Sequence, residues 1–280
     1  MPPKPFPTHF LCIPLVNATS RVQLSQSLAS FSADVTAPDS FGLPQDAIRP
    51  VGTIHLTLGV CSFPKSEGLD RATELLKSLR LRGILDSARQ QVAARTLPGD
   101  VPSVQEAYGK CPGQETDGKV SAQQAAAKEE GPQPLLITLR GLVSMQAPSK
   151  ASVLYAQPLD EQGVLQLFCE KLRGVFVDEG LMQDEGRPLL LHATVANTIY
   201  VKNAPGEGGG NRGGSKAKRG RRGEKLTFDA RPIMDRYEDQ IWLKDFPVEK
   251  IALCRMGAKK VEVDGVVVDE AYEAVAEVGF

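Results

Sequence analysis

The sequence predicts an α+β fold built as two lobes. Three observations carry that expectation. Short apolar runs with period-two alternation interleave with amphipathic helical segments, in the order β, α, β, α, then β, β, α, β, then α, β, β. The strands are modest in length, which favours α+β lobes over one long parallel sheet. The chain has 280 residues, enough for one large domain or two small ones. Hydrophobic residues make up 41% and charged residues 24%, ordinary globular usage that excludes a wholly disordered chain. A formal net charge of −1 argues against a surface coated throughout by nucleic acid, and leaves room for a local basic patch.

Residues 9–16, HFLCIPLV, read as a strand ended by Asn17. Val22, Leu24, Leu28 and Phe31 recur at near-helical spacing through 20–35. A Pro/Asp/Gly-rich connection follows at 37–50, and 53–60, TIHLTLGV, alternates as a strand. Residues 68–95 form an amphipathic helix, expected to break near Gly83. Residues 134–145 and 152–157 read as strands, 160–177 as a helix with Val164, Leu165, Phe168, Leu172 and Val175 on one side, and 189–200 as a strand. Residues 229–238 look helical, started by Phe228, and 247–257 and 261–268 strand-like.

Two stretches interrupt this pattern. Residues 97–133 hold four prolines, five glycines and few large apolar groups, and read as a disordered insertion unable to offset its ordering entropy. Residues 202–225 hold eight glycines and eight Lys/Arg against two Glu, a Gly-rich basic loop of net +6. Gly208, Gly210 and Gly213 there satisfy GxGxxG, but no apolar strand leads directly into them and no helix follows closely, so the dinucleotide reading fails. The five cysteines, Cys12, Cys61, Cys111, Cys169 and Cys254, are odd in number and never form CxxC. They read as reduced, mostly buried thiols of a cytosolic or nuclear protein. No stretch reaches the roughly 18 apolar residues of a membrane helix, and MPPKPFPTHF at the start has no apolar run expected of a secretory signal.

The chain has three histidines, His9, His55 and His192, and two of them open the same pattern: Ile54-His55-Leu56-Thr57-Leu58 and Leu191-His192-Ala193-Thr194-Val195. Chance would put Thr two places after two of three histidines roughly half a per cent of the time. Because i and i+2 share a face of a strand, each motif offers an imidazole and a hydroxyl on one side and aliphatic side chains to a core on the other. Facing each other across a cleft, the two strands would flank a site with two imidazoles and two hydroxyls. Imidazole titrates near ~6.5, so one ring can give a proton while the other takes one. The hydroxyls of Thr57 and Thr194 can donate to non-bridging phosphate oxygens. A single histidine in a strand is usually structural; a matched pair with matched neighbours is better read as catalytic. That set suits in-line phosphodiester chemistry with no cofactor and no metal, since neither histidine has HxxxH spacing or a carboxylate cluster beside it.

At these residues the chain resembles the two-histidine phosphoesterase superfamily. Within it, the chain is most similar to the nuclear-localisation-signal domain of A-kinase anchoring proteins and the matching domain of an activating signal cointegrator complex subunit. His9-Phe10-Leu11 through Pro14, Gly141-Leu142 with Val153-Leu154-Tyr155-Ala156, Asn197-Thr198 and Phe228-Asp229-Ala230 extend the likeness over about residues 8–257, except 97–133. The resemblance implies a single bilobal domain over 1–280, two pseudo-symmetric lobes with antiparallel sheets, and an active site in the cleft between them. It implies hydrolysis of RNA ends or oligonucleotides, at a 2′,3′-cyclic phosphate or a 2′–5′ linkage. The alternative is an adaptor that binds RNA or an AMP-like nucleotide without turnover, in a nuclear-scaffold or transcription-coactivator role. In related enzymes the first-motif histidine is the proton donor and the second the acceptor, which would be His55 and His192; the sequence itself does not assign them.

Further candidates are His9 as a cleft contact, or else a surface residue at a strand start, and Tyr155 and Tyr200 as base-stacking rings, or else core or rim aromatics. Lys216, Lys218, Arg219, Arg221 and Arg222 read as a nuclear import signal, an RNA-phosphate contact or a solvated loop. The expected partner is an RNA end or nucleotide, not a membrane, in the nucleus or cytoplasm.

Overall fold

The computed structural model describes residues 6–95, 133–184, 186–201 and 226–280. The insertion expected at 97–133, apart from Gln133, and the loop at 202–225 with its five named basic side chains lie outside the described residues. In chain order the elements are β1 (His9–Pro14), α1 (Ala18–Thr36), β2 (His55–Cys61), α2 (Ser66–Ser78), α3 (Leu81–Arg95), β3 (Leu136–Ser144), β4 (Val153–Leu159) and α4 (Leu165–Asp178). They continue with β5 (Ala193–Asn197), α5 (Arg231–Arg236), β6 (Ile241–Pro247), β7 (Lys250–Arg255), β8 (Lys259–Val263), β9 (Val266–Ala271) and β10 (Ala274–Gly279).

Eight strands form one antiparallel sheet in the order β10-β7-β1-β2-β5-β4-β3-β6. It divides into two four-stranded halves, the two lobes of an α+β fold. Each half keeps a His-x-Thr strand at its inner edge, and β2 meets β5 through the Leu56–Ala193 pair. The two motif strands meet at this one pair, where the two halves of the curled sheet join.

Local chemistry fixes the helices that cover the core face. Asn17 caps α1: its side-chain oxygen accepts from the Thr19 and Ser20 amides, and Ser20 Oγ accepts from the Asn17 amide. The helix then buries Leu24, Leu28, Phe31 and Val35, spaced three or four apart. Asp160 Oδ2 accepts from the Val164 and Leu165 amides, so α4 starts five residues later than the apolar pattern suggests. These helices share one core with Leu11, Ile13, Leu56, Leu58 and Val195 from the sheet.

The expected helix over 68–95 is two helices, and the break falls at Leu79, whose backbone turns extended, not at Gly83, which lies inside α3. The last third holds more strands than expected. The run read as one strand at 261–268 is the β8–β9 hairpin, turned at Asp264 and Gly265, both with positive φ (52° and 78°). Strands β6 and β10 add to the two sheet edges.

The hairpin docks beside the first motif. Both Asp269 carboxylate oxygens accept from the Gly52 amide at 3.1 Å, and Asp269 also pairs with Arg21 of α1 at 2.5 Å. The Glu270 carbonyl passes so close to Gly52 that any Cβ there would collide with it.

Candidate active site

Along both motif strands burial alternates as the period-two reading requires. Ile54, Leu56, Leu58, Leu191, Ala193 and Val195 are buried, while His55, Thr57, His192 and Thr194 are partly exposed on the opposite face. Leu56 pairs with Ala193. One antiparallel step either way sets His55 opposite Thr194 and Thr57 opposite His192. Directly opposed residues on one face have Cβ atoms about 5 Å apart, and diagonal ones about 7–8 Å. On ideal sheet geometry the four side chains mark out a square with the imidazoles on one diagonal.

Both rings are anchored alike. His55 Nδ1 lies 2.7 Å from the Thr53 carbonyl, and His192 Nδ1 lies 2.9 Å from the Leu190 carbonyl, in each case two residues back. A carbonyl only accepts, so Nδ1 carries the proton in both and Nε2 is left for the open face. In the neutral tautomer His55 Nε2 accepts from the Thr57 hydroxyl at 3.0 Å.

Aromatic packing distinguishes the two. His55 sits between Phe10 at 4.9 Å and Tyr272 at 5.1 Å, the latter edge-on, and Phe10 and Tyr272 touch each other. Burial against them brings the His55 pKa down to about 4, with the positive charges of His192 and Arg49 pushing the same way; the Thr53 carbonyl opposes. Beside His192 stands Tyr155, ring centroids 5.6 Å apart and edge-on.

Tyr155 is only 5% exposed, so it offers no open ring to a base; it props His192 instead. Tyr200 is 42% exposed, with the Arg49 guanidinium 3.8 Å above its ring. His9 is not brought to the pair. It sits opposite Cys61, at the far end of β2 from His55, with Nδ1 on Thr8 and its ring against Phe63. Strand alternation explains this: His9 is in phase with core residues Leu11 and Ile13, whereas Phe10 and Cys12 occupy the site-side cluster with Cys254.

Three residues of the site were not singled out from sequence: Phe10, Tyr272 and Arg49. Phase along β1 would have pointed to Phe10. Arg49 and Tyr272 carry no local signal, because their places depend on contacts with distant elements.

Among the described residues, no group of three or more His, Cys, Asp or Glu side chains is placed to hold a metal ion. Among them too, no helix is long and apolar enough to cross a membrane. Cys12, Cys61, Cys169 and Cys254 are buried and unbridged, with Cys12 and Cys254 Sγ 3.7 Å apart.

The family model of the AKAP7 2'5' RNA ligase-like domain matches residues 7–279. An uncharacterized protein of Schizosaccharomyces pombe is 28% identical over 133 residues, which is 47% of this chain and 53% of that protein, so the match spans about half the relative's length. Among solved structures, E. coli LigT complexed with 3'-AMP has 15% identity over 98% of this chain and 97% of its own, with a TM-score of 0.44. A protein of Thermus thermophilus has 15% identity over 97% of each chain, with a TM-score of 0.45.

Proposed function

The chain belongs to the AKAP7 2'5' RNA ligase-like domain family, and from that membership and the geometry of the square we propose that it is a phosphodiesterase acting on RNA ends, at a 2′,3′-cyclic phosphate or a 2′–5′ linkage. The observation that carries the reading is the matched anchoring of His55 and His192, each with Nδ1 on the carbonyl two residues back and Nε2 on the face shared with Thr57 and Thr194. A phosphodiester placed over the square meets an imidazole on two opposite sides and a hydroxyl on the other two.

In this reading His55, neutral because of its burial, takes a proton from the attacking water through Nε2. His192, as imidazolium, gives one to the departing ribose oxygen. That reverses the roles implied by resemblance alone, and the difference in packing around the two rings supports the reversal. The Thr57 hydroxyl turns from His55 to the phosphate, and both threonines donate to its non-bridging oxygens. The chemistry asks for no metal. Within the same reading the basic run Lys216–Arg222 serves RNA contact or nuclear import, and the protein works in the nucleus or cytoplasm.

The test is hydrolysis of a nucleoside 2′,3′-cyclic phosphate and of a 2′–5′ adenylate dimer with EDTA present. Turnover of at least one is expected. AMP binding with no turnover at high enzyme concentration would make the protein a binding module instead.

The pH dependence is a separate check. A base must be unprotonated, so activity falls as pH drops through its pKa, and kcat/KM reports the free enzyme. The acid limb is expected at about pH 4, where the His55 pKa lies, well below the ordinary histidine value. An acid limb at 6–7, unchanged when Arg49 is replaced, would remove His55 as the base.

A further inference from the structure

Arg49 sits beside the square without belonging to it. Its amide donates to the Val195 carbonyl at 2.8 Å, and Ile48 bridges Ala196, so the 48–49 segment lies along β5 just beyond Thr194. The side chain is 6% exposed. Its guanidinium lies on the Tyr200 ring, and the Tyr272 hydroxyl is close to both. Among the described residues Nη2, itself buried, has no hydrogen-bond partner, and no carboxylate pairs with this guanidinium. A buried cation held in place, with a donor unfilled, is suited to an anionic ligand.

The same residue lines a groove of about 820 Å³ between α1, the 45–51 segment, Tyr200 and β9. Ser25, Ser32 and Gln45 give it polar walls. Arg21, the other cation there, is neutralised by Asp269. Asp46 and Glu270 also line it, so an anion is favoured only where Arg49 stands. None of His55, Thr57, His192 and Thr194 lines this groove. An anion seated on Arg49 within this groove would lie outside the square.

We propose that Arg49 and Tyr200 form a second phosphate subsite, so that the preferred substrate carries a phosphate next to the scissile one and is an oligonucleotide end rather than a mononucleotide. The proposal rests on the phosphodiesterase reading above. The guanidinium holds the neighbouring phosphate, and the groove accepts the attached nucleoside beside Tyr200.

Two measurements test it. Calorimetry compares adenosine 3′,5′-bisphosphate with adenosine 3′-monophosphate on the wild type, Arg49→Gln and Arg49→Lys. Kinetics compare adenosine 2′,3′-cyclic phosphate with a dinucleotide ending in the same cyclic phosphate. A charge-assisted contact supplies roughly 10- to 100-fold, so the wild type should prefer the two-phosphate ligand and substrate by about that factor. Arg49→Gln should erase most of the preference, and Arg49→Lys, which keeps the charge but not the fork, should retain part of it. A wild type with no preference overturns the proposal, whatever the variants do. So does an Arg49→Gln protein of normal melting temperature that loses both substrates equally. If the wild type turns over neither substrate, yet prefers the bisphosphate and loses that preference in Arg49→Gln, the subsite stands and the hydrolase reading fails.

Discussion

Replacing either His55 or His192 by Ala is expected to lower kcat by about 10²–10⁴, the usual contribution of one positioned proton-transfer group. The two effects should not add, because a proton taken from water and a proton given to the leaving oxygen belong to one displacement. The double variant should be little slower than the worse single variant. The fold should survive: both imidazoles project from the face opposite the main core, and each hydrogen-bonds a carbonyl at the strand start and, for His55, one hydroxyl. Thermal melting beside steady-state hydrolysis of a 2′,3′-cyclic phosphate checks both halves of the claim. Full activity in both single variants would end the acid–base reading. Loss of activity in only one would keep that histidine and remove the other.

The two variants should also differ in pH profile. With His55 gone, the acid limb near pH 4 disappears, because no other group of that range is part of the proposed proton path. With His192 gone, that limb remains, attached to a slower reaction. Loss of the low limb in His192→Ala instead of His55→Ala would restore the donor and acceptor order implied by resemblance.

What the sequence made legible was local. Period-two alternation in 54–58 and 191–195 placed each His and Thr on one face, because strand geometry links residues two apart with no help from the rest of the chain. Helix α1 was legible for a similar reason: its buried residues repeat at three or four, and Asn17 stands before them. Strand β6 was not. Trp242 and Leu243 are both buried, and Asp245 has φ 50°, so the run never alternates. The β8–β9 hairpin was hidden by its valines, which look continuous across Asp264-Gly265 although that dipeptide is the strongest short hairpin signal. Arg49 and Tyr272 lay beyond local reasoning. Pairing of 48–49 with β5 places one, and return of the chain from the hairpin places the other. These long-range contacts set the His55 pKa and the neighbouring groove, so the histidine pair could be read before its surroundings.

Trp242→Ala is expected to cost the largest share of stability, about 3–5 kcal/mol for an aromatic removed from a core. Trp242 is 1% exposed and lies edge-on to Phe31 of α1 at 5.1 Å and stacked with Tyr237 at 5.9 Å. Its Nε1 donates to the Gly141 carbonyl at 2.8 Å, and its own carbonyl accepts from Ser27 Oγ of α1 at 3.2 Å. Gly141 has φ 67°, at the irregularity where β3 pairs with β4, and a Cβ there would press on the Glu238 carbonyl. One indole thus ties edge strand β6 to the bend of β3 and to the long helix across the core. Removing it opens a cavity and leaves the Gly141 carbonyl without its donor. For a domain of this size the melting temperature should fall by about 6–20 °C. Trp242→Phe, which keeps most of the volume and loses the donor with part of the ring, should cost less, and urea titration of both variants compares the two losses. Below its own melting temperature Trp242→Ala should hydrolyse substrate at nearly the wild-type rate, because β3 and β4 lie between β6 and the motif strand β5. A loss below about 1 kcal/mol would mean that α1 and β6 are held together without the indole. A fully folded but inactive Trp242→Ala would mean that strain in the outer strands reaches the histidines through the sheet.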